Sequence, residues 1–150
     1  MGDTKKMDIK DTTESIDHIK LSMPNKPEYV SVIRLTTSAI ASRMGFNIDE
    51  IDDIKVAIGE ACTNAIQHGT NKENNTYDIE FFVYIDRLQI QIKDRGRGFN
   101  TSEVKQPKAE DLKERGLGLF IIKTLMDDVE CISNEDTGTE IRMTKRIGVG

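Results

Sequence analysis

Long apolar runs and cysteine are scarce in this sequence of 150 residues, and its 21 Lys and Arg residues are outnumbered by 26 Asp and Glu residues. No run approaches the ~20 apolar residues that a membrane-spanning helix needs, and no signal peptide opens the chain, so a soluble, cytoplasmic protein is expected. The net charge of -5, without a dominant basic patch, argues against a general nucleic-acid binder. The two cysteines, Cys62 and Cys131, lie in apolar-patterned segments and are expected to be buried free thiols.

The length suits one domain with a full hydrophobic core. Residues 1–15 are polar and charged, which predicts a disordered tail ahead of a domain at 16–150. The sequence shows neither internal repeats nor a second domain, so all of the chemistry is expected to come from this single unit.

Alternation of apolar and polar residues predicts five strands. They span His18–Met23, Tyr77–Ile85, Leu88–Asp94, Val129–Ser133 and Thr139–Thr144. One side of the central strands is apolar and the other is mostly polar. An antiparallel sheet covered on one face is therefore expected.

Helical spacing of apolar residues predicts three helices. Pro27 begins the first and Gly45 follows its end, as proline and glycine commonly do. Asn47 and Glu50 have the spacing of a capping box at the start of the second. The third is expected at Gly118–Met126.

Phe46 and Ile51 are expected to form a hydrophobic staple around the start of the second helix. The segment Arg95–Arg115 holds many charges and almost no apolar residues, so a long loop is expected there, which is either a functional lid or disordered.

Glu60 and Asn64 lie four residues apart within the second helix, which places them on one face, one turn apart. A carboxylate can take a proton or aim a nucleophile. A neutral amide oxygen can ligate a hard cation without adding negative charge beside phosphates. Periodicity alone equally fits a solvated polar face, although the small residues Ala57 and Ala61 beside the pair leave room for a ligand.

A glycine turn follows the third strand as Asp94-Arg-Gly96-Arg-Gly98. The Asp94 carboxylate can accept a hydrogen bond from an exocyclic amine such as that of adenine. Glycines without a Cβ let the backbone approach a base or a phosphate closely. Such turns are common, so alone this motif is a weak signal.

A second glycine pair, Gly116 and Gly118, is expected to open the third helix, where free amides and the helix dipole favour phosphate. Lys113 and Arg115 just before it can add positive charge, or are simply solvated loop residues. Thr139 at the start of the last strand can offer a hydroxyl to a base. Alternatively, it is present only because threonine favours β-strands.

The order of these motifs resembles the GHKL ATPase/kinase superfamily with its Bergerat ATP-binding fold. Glu60 to Ala65 is similar to the N box, Asp94-x-Gly96-x-Gly98 to the G1 box and Gly116-Leu-Gly118-Leu to the G2 box. Within the superfamily the chain most resembles the anti-sigma factor serine-protein kinases of the RsbW and SpoIIAB type, over roughly residues 18–146. Further similarities lie in Pro27–Val30 and Ala41–Gly45.

The resemblance implies an α+β two-layer sandwich, with about five mostly antiparallel strands and three helices on one face. It also implies ATP and Mg²⁺ as cofactors, with Glu60 as the catalytic base and Asn64 as the metal ligand. Asp94, Gly96, Gly98 and Thr139 would hold adenine, and Gly116 and Gly118 the phosphates, with Arg115 beside them.

The partners implied by the resemblance are an alternative sigma factor, contacted through Arg34, and a STAS-type anti-anti-sigma factor that is phosphorylated on serine. A homodimer is implied as well, without contact to nucleic acid or membrane.

Two other classes of function stay open. One is a binding protein that uses ATP as a structural ligand without kinase activity, against which the presence of Glu60 argues. The other is the catalytic part of a histidine kinase. The sequence predicts no dimerisation helix with a phospho-acceptor histidine, and His18 lies in a predicted strand, which disfavours that class. The sequence has no Walker-type phosphate loop, which excludes the P-loop NTPases.

Overall fold

A computed structural model describes residues 14–68, 76–94, 109–134 and 138–148. The elements in these ranges are β1 (Asp17–Pro24), α1 (Val30–Met44), α2 (Ile48–His68), β2 (Thr76–Val83), β3 (Arg87–Asp94), α3 (Ala109–Leu125), β4 (Asp128–Asn134) and β5 (Gly138–Arg146). The strands form one antiparallel sheet in the order β1-β2-β3-β5-β4. The α+β architecture expected from the sequence is confirmed.

The core lies between one face of the sheet and the helices. Because side chains alternate along a strand, every second residue of the central strands points into this layer. Those positions are apolar and almost completely buried: Ile79, Phe81, Leu88, Ile90, Ile92, Ile141 and Met143. Burial of each such side chain contributes about 1.5–3 kcal/mol. This face therefore fixes which residues at the strand ends point toward the helices.

The helices begin and end where their sequences predict, with one exception. A 3-10 turn at Pro27–Tyr29 leads into α1, which ends at Gly45 with a left-handed φ of 96°. The capping box is confirmed, because the Asn47 side chain accepts from the Glu50 amide at 2.8 Å and Glu50 accepts from the Asn47 amide at 2.9 Å. Buried Phe46 and half-buried Ile51 join the core beside this start.

The exception is α3, which begins at Ala109 rather than at Gly118. The expected loop Arg95–Arg115 is therefore wrong in its last part, while residues 95–108 lie outside the described residues. The segment from Ala109 to Arg115 is rich in strong helix formers, with acidic residues near its start. Its small number of apolar residues predicts a loop, but helix propensity does not require an apolar stripe.

Two smaller expectations at the edges of the structure are also wrong. Strand β2 ends at Val83, and Ile85 is 54% exposed in the turn that follows. Cys131 is exposed instead of buried, because β4 is an edge strand and the helices cover its inner side incompletely. The expected tail at residues 1–15 falls almost entirely outside the described residues.

Candidate functional site

A pocket lies between α2 and the neighbouring ends of β3 and β5. Its lining consists of Ala61, Asn64, Ala65, Ile92, Asp94, Thr139 and Ile141. The strands meet here because β3 and β5 are adjacent and antiparallel, so the end of one lies beside the start of the other. The pocket brings together Asn64, Asp94 and Thr139, three residues that the sequence singled out separately.

Asp94 is the polar end of an apolar strand. Its side chain is only 6% exposed, and its Oδ1 accepts a hydrogen bond from the Thr139 amide at 3.2 Å. A buried carboxylate requires such donors, since its desolvation is costly when it is not hydrogen-bonded. The hydrogen bond holds the carboxylate at the junction of β3 and β5, where it can accept a further donor from a ligand.

Helix α2 supplies the opposite wall of the pocket. Ala61 and Ala65 are buried one helical turn apart, and half-buried Asn64 lies beside Ala65 on the same side. Alanine side chains leave space where larger apolar residues would fill the gap against Ile92 and Ile141. The helix therefore forms a shallow apolar wall with a single amide at its rim, a shape that suits a flat ring.

Glu60 lies one turn before Asn64, at the contact between α2 and α3. Its Oε2 is 3.5 Å from the position that a Cβ atom on Gly118 would occupy. This carboxylate is half-buried, so it remains accessible beside the second glycine pair. The predicted acid–base residue and the predicted phosphate-binding turn are therefore neighbours in space.

The two glycines of that pair lie inside α3 rather than at its start. In the helix that begins at Ala109, Gly116 is the eighth residue and Gly118 the tenth. Amides inside an α-helix are paired with carbonyls four residues back, so they are not free donors. The prediction that this pair opens a helix is wrong for this conformation. Gly116 is exposed, with no atom within 4 Å of an added Cβ.

Four of the remaining predicted residues have no described contacts. Gly96 and Gly98 lie outside the described residues, and Arg115 and Lys113 are placed in α3 by their backbone alone. Their suggested contacts with base or phosphate stay predictions.

Arg34 lies outside the pocket, on α1. It is exposed, but its guanidinium crosses to α2 and lies over Gly59, where Nη2 is 2.5 Å from the position of an added Cβ. A glycine at this point allows the close approach, and any other residue would push the arginine away. Arg34 therefore joins the surface of α1 to the helix that carries Glu60.

Cys62 and Tyr77 form the buried layer beneath the pocket. Burial raises the pKa of the Cys62 thiol to about 12, and contact with Tyr77 and the charge of Arg34 offset part of this effect. Burial, followed by the proximity of Cys62, also raises the pKa of Tyr77. At neutral pH both groups are protonated, so the expectation that Cys62 is a buried free thiol is confirmed.

Sequence analysis missed several residues that build this site. Ile92, Ile141 and Ala65 appeared only as periodic apolar residues, and nothing in their pattern distinguishes a pocket wall from a core. Ser133 was missed as well. Its hydroxyl lies 3.1 Å from the Thr139 hydroxyl, directly across the β4–β5 pair. The short connection predicted between the last two strands is the one available signal in the sequence, and it does not fix the register by itself.

Within the described ranges, the pocket can bind a ligand but lacks a cluster of side chains that would bind a metal ion. No cluster of three or more His, Cys, Asp or Glu residues that could hold a metal ion occurs among the described residues. In the same ranges, no helix is long and apolar enough to cross a membrane.

Comparison with known proteins supplies a family. The model of the histidine kinase-like ATPase domain matches residues 23–145. The chain is 42% identical over 140 residues to the serine-protein kinase RsbW of Bacillus velezensis, covering 87% of this chain and 86% of that protein. It is 44% identical over 140 residues to the serine-protein kinase RsbW of Oceanobacillus iheyensis, with 87% of each chain covered.

Solved structures support the fold. A Mycobacterium tuberculosis structure that contains RsbU and RsbW domains matches 89% of this chain and 33% of that longer chain, with a TM-score of 0.69 and 16% identity. The histidine kinase domain of a blue-light activated kinase from Erythrobacter litoralis matches with a TM-score of 0.50 and 19% identity. The expected resemblance is confirmed: this chain belongs to the histidine kinase-like ATPase domains and, among them, to the family of the RsbW serine-protein kinases.

Proposed function

We propose that this protein is an anti-sigma factor that binds Mg-ATP in the pocket and phosphorylates a serine of a STAS-type anti-anti-sigma factor. In its other state it sequesters an alternative, stress-type sigma factor. The observation that carries the proposal is the convergence of Asn64, Asp94 and Thr139 on one pocket, with Glu60 one helical turn away. The family relationship supports the same chemistry.

The pocket holds the adenine ring. Its walls are Ala61 and Ala65 on one side and Ile92 and Ile141 on the other, which suits a flat aromatic ring. Asp94 can only accept hydrogen bonds, so it favours the exocyclic amine of adenine over the carbonyl of guanine. This explains why a buried carboxylate is kept at a position where its burial is otherwise unfavourable.

The phosphates extend from the pocket toward Glu60 and α3. Asn64 lines the pocket one helical turn from Glu60, and its neutral amide oxygen suits a Mg²⁺ ion that also takes phosphate oxygens and water as ligands. The absence of an acidic cluster among the described residues agrees with an ion that is bound mainly through the nucleotide. Bound Mg²⁺ neutralises charge on the phosphates during transfer.

Glu60 orients the attacking serine. In the transfer step the serine Oγ forms a bond to the γ-phosphorus, the bond from that phosphorus to the β-phosphate bridging oxygen breaks, and ADP leaves. The serine proton passes to the Glu60 carboxylate. The half-buried Glu60 carboxylate lies beside Gly118, which supports its assignment to the phosphate end of the site rather than to the base end. A binding protein that used ATP only as a structural ligand would have no need of this group.

The partner surfaces are part of the same proposal. Arg34 on α1 contacts the sigma factor, and the phosphates are bound by Gly116 and Gly118, with Gly96 and Gly98 contributing to the base side. The active protein is a cytoplasmic homodimer.

For Gly116 and Gly118 to offer their amides, the first turns of α3 must leave the helix when ATP binds, since these amides are otherwise paired internally.

The test is reconstitution with purified components. The protein is incubated with Mg-ATP labelled at the γ-phosphate and a STAS-domain protein, and separately with an alternative sigma factor of the same genome. We expect label on a serine of the STAS protein and a stable complex with the sigma factor. Label on a histidine of this chain, or ATP binding without any transfer, would contradict the proposal.

A further inference from the structure

A row of residues crosses the whole sheet on the face that packs against the helices. Met23 on β1 pairs with Tyr77 on β2, which pairs with Asp94 on β3. Asp94 is joined to Thr139 on β5 by a hydrogen bond, and Thr139 pairs with Ser133 on β4. The row changes from apolar at β1 to polar at the pocket, and Ser133 is its outermost member.

The Ser133 and Thr139 hydroxyls are 3.1 Å apart, within hydrogen-bond distance. Thr139 is only 6% exposed and lines the pocket, whereas Ser133 does not line it. A threonine hydroxyl can donate its one proton to an acceptor, or rotate so that an oxygen lone pair accepts from a donor. In this bond one hydroxyl donates to the other, so Ser133 occupies one of the hydrogen-bonding positions of the Thr139 hydroxyl and limits how that hydroxyl can rotate.

We infer that Ser133 is a positioning residue of the base pocket. It fixes the orientation of the Thr139 hydroxyl and thereby increases the discrimination between purines. This inference rests on the proposed function, since it requires Asp94 and Thr139 to contact the base. Asp94 offers acceptors only, and Thr139 beside it offers a hydroxyl of either polarity. When Ser133 holds that hydroxyl, Asp94 and Thr139 present one fixed arrangement of hydrogen-bond donors and acceptors to the base. A purine with the opposite arrangement leaves buried polar groups without hydrogen bonds.

Loss of Ser133 frees the Thr139 hydroxyl to rotate. An adenine ring then loses a pre-oriented partner, while a hypoxanthine ring, which has a carbonyl in place of the amine, gains an adaptable one. A role in tying β4 to β5 alone would lower stability without changing this choice. The ratio of ATP to ITP affinity therefore distinguishes positioning from simple structural support.

The experiment measures the affinity of the full chain for ATP and ITP by calorimetry, together with thermal unfolding, in the wild type, S133A, S133T, T139V, the double variant of S133A with T139V, and S22A. S133A should weaken ATP binding about fivefold, the loss typical of one hydrogen bond. It should also lower the ratio of ATP affinity to ITP affinity. S133T restores the hydroxyl on a residue with high β-propensity and should restore the ratio. In the T139V background, the further change S133A should have no effect on either nucleotide. The matched control S22A, an exposed serine on the opposite edge strand, should change neither affinity.

The outcomes separate this inference from the function on which it rests. If T139V binds ATP as the wild type does, the assignment of the base pocket is wrong. If T139V weakens ATP binding but S133A leaves the ATP-to-ITP ratio unchanged, or S133A adds its full effect in the T139V background, the role of Ser133 is refuted. Should S133A fail to fold, a wild-type ratio in both S133T and S133C would refute it, because a thiol is a poor substitute for the hydroxyl.

Discussion

Asp94 shows how one residue can serve both the fold and the site. Its Oδ1 accepts the Thr139 amide and so helps to join β3 to β5, and the same carboxylate faces the pocket. An asparagine at this position keeps one acceptor oxygen for the amide of Thr139. It also places a donor where the adenine amine needs an acceptor.

D94N should therefore weaken ATP binding with little effect on folding. The mispaired polar groups should cost ~1–3 kcal/mol of binding free energy, measured by calorimetry. The control is D127N, because the Asp127 carboxylate also accepts a backbone amide, that of Arg146 at 2.6 Å, but lies on the surface. Equal ATP affinity in D94N and D127N would remove Asp94 from base recognition.

Cys62 gives a prediction about pH. Its thiol has a pKa raised by burial from 9.0 to about 12, so the unfolded chain releases this proton at lower pH than the folded chain does. The contribution of the Cys62 thiol to the free energy of unfolding is complete below the unfolded pKa of 9.0, and it is lost as the pH rises toward the folded pKa. Between these values the free energy of unfolding should fall by up to about 1.4 kcal/mol per pH unit from this group.

The measurement is urea unfolding from neutral pH to about pH 10, a range in which the effect of Cys62 begins. C62A should show a shallower decline than the wild type, with the rest of the slope coming from Tyr77 and other groups. C131A, which removes the exposed thiol, should keep the wild-type slope. Identical slopes in C62A and the wild type would mean that the Cys62 thiol does not resist ionisation in the folded protein.

At the scale of elements, α2 combines structural and chemical roles on two sides. Ile54, Ile58 and Cys62 are fully buried in the core, while Glu60 and Asn64 are half-buried beside the pocket. Gly59 adds a third contact, since it receives the guanidinium of Arg34 from α1. The helix is therefore held by its buried side, which leaves the Glu60–Asn64 side free to bind ligand.

Strands, caps and helix order could be predicted from the sequence because they depend on local patterns. The alternation in β2 and β3 and the capping box of Asn47 and Glu50 are examples, and the structure confirms both. The start of α3 could not be predicted, because its first turns have helix propensity without an apolar stripe. The Ser133–Thr139 pair could not be predicted either, since it depends on strand register, which is set by tertiary packing.

Helix α3 provides a test of the phosphate site. If Gly116 and Gly118 bind phosphate, residues 109–115 should lose helical protection in hydrogen exchange when an ATP analogue binds, by about tenfold or more. ADP should have a smaller effect because it lacks the γ-phosphate. Residues 119–125 of the same helix, which pack on the core through Ile122, serve as the internal control.

Equal exchange of residues 109–115 with no ligand, with ADP and with the ATP analogue would contradict this prediction. The glycine pair would then remain in the helix throughout the cycle. In that event the phosphates would have to be bound by other parts of the chain.

At the scale of the whole molecule, nucleotide and sigma factor are expected to use different surfaces that meet at α2. Arg34 lies on α1 with its guanidinium over Gly59, next to Glu60 in the chain. R34E should weaken sigma-factor binding by ~2 kcal/mol or more, as expected for a buried cation at an interface, while ATP affinity stays at the wild-type value. Both are measured by calorimetry.

The matched control for R34E is R43E, which makes the same charge change at the exposed end of the same helix. It should leave sigma-factor binding unchanged. Loss of both sigma-factor and ATP binding in R34E would show that the arginine holds α1 to α2 and has no direct role at the interface.

The central claim is that the chain transfers phosphate by using Glu60, and the rate of serine phosphorylation in E60Q tests it most directly. Glutamine keeps the shape of the side chain but cannot accept the serine proton, so the rate should fall ~10²–10⁴-fold. ATP binding and sigma-factor binding should persist, because Asn64, Asp94 and Arg34 are unchanged. The control D52N alters an exposed carboxylate at the far end of the same helix and should keep full activity.

E60Q is therefore predicted to sequester its sigma factor permanently, because it can no longer phosphorylate the STAS-type anti-anti-sigma factor. The measurement is the initial rate of label transfer from Mg-ATP to the STAS protein at saturating nucleotide. The account predicts the large loss given above together with wild-type ATP affinity. A phosphorylation rate within about threefold of the wild type, against that expected loss, would contradict it.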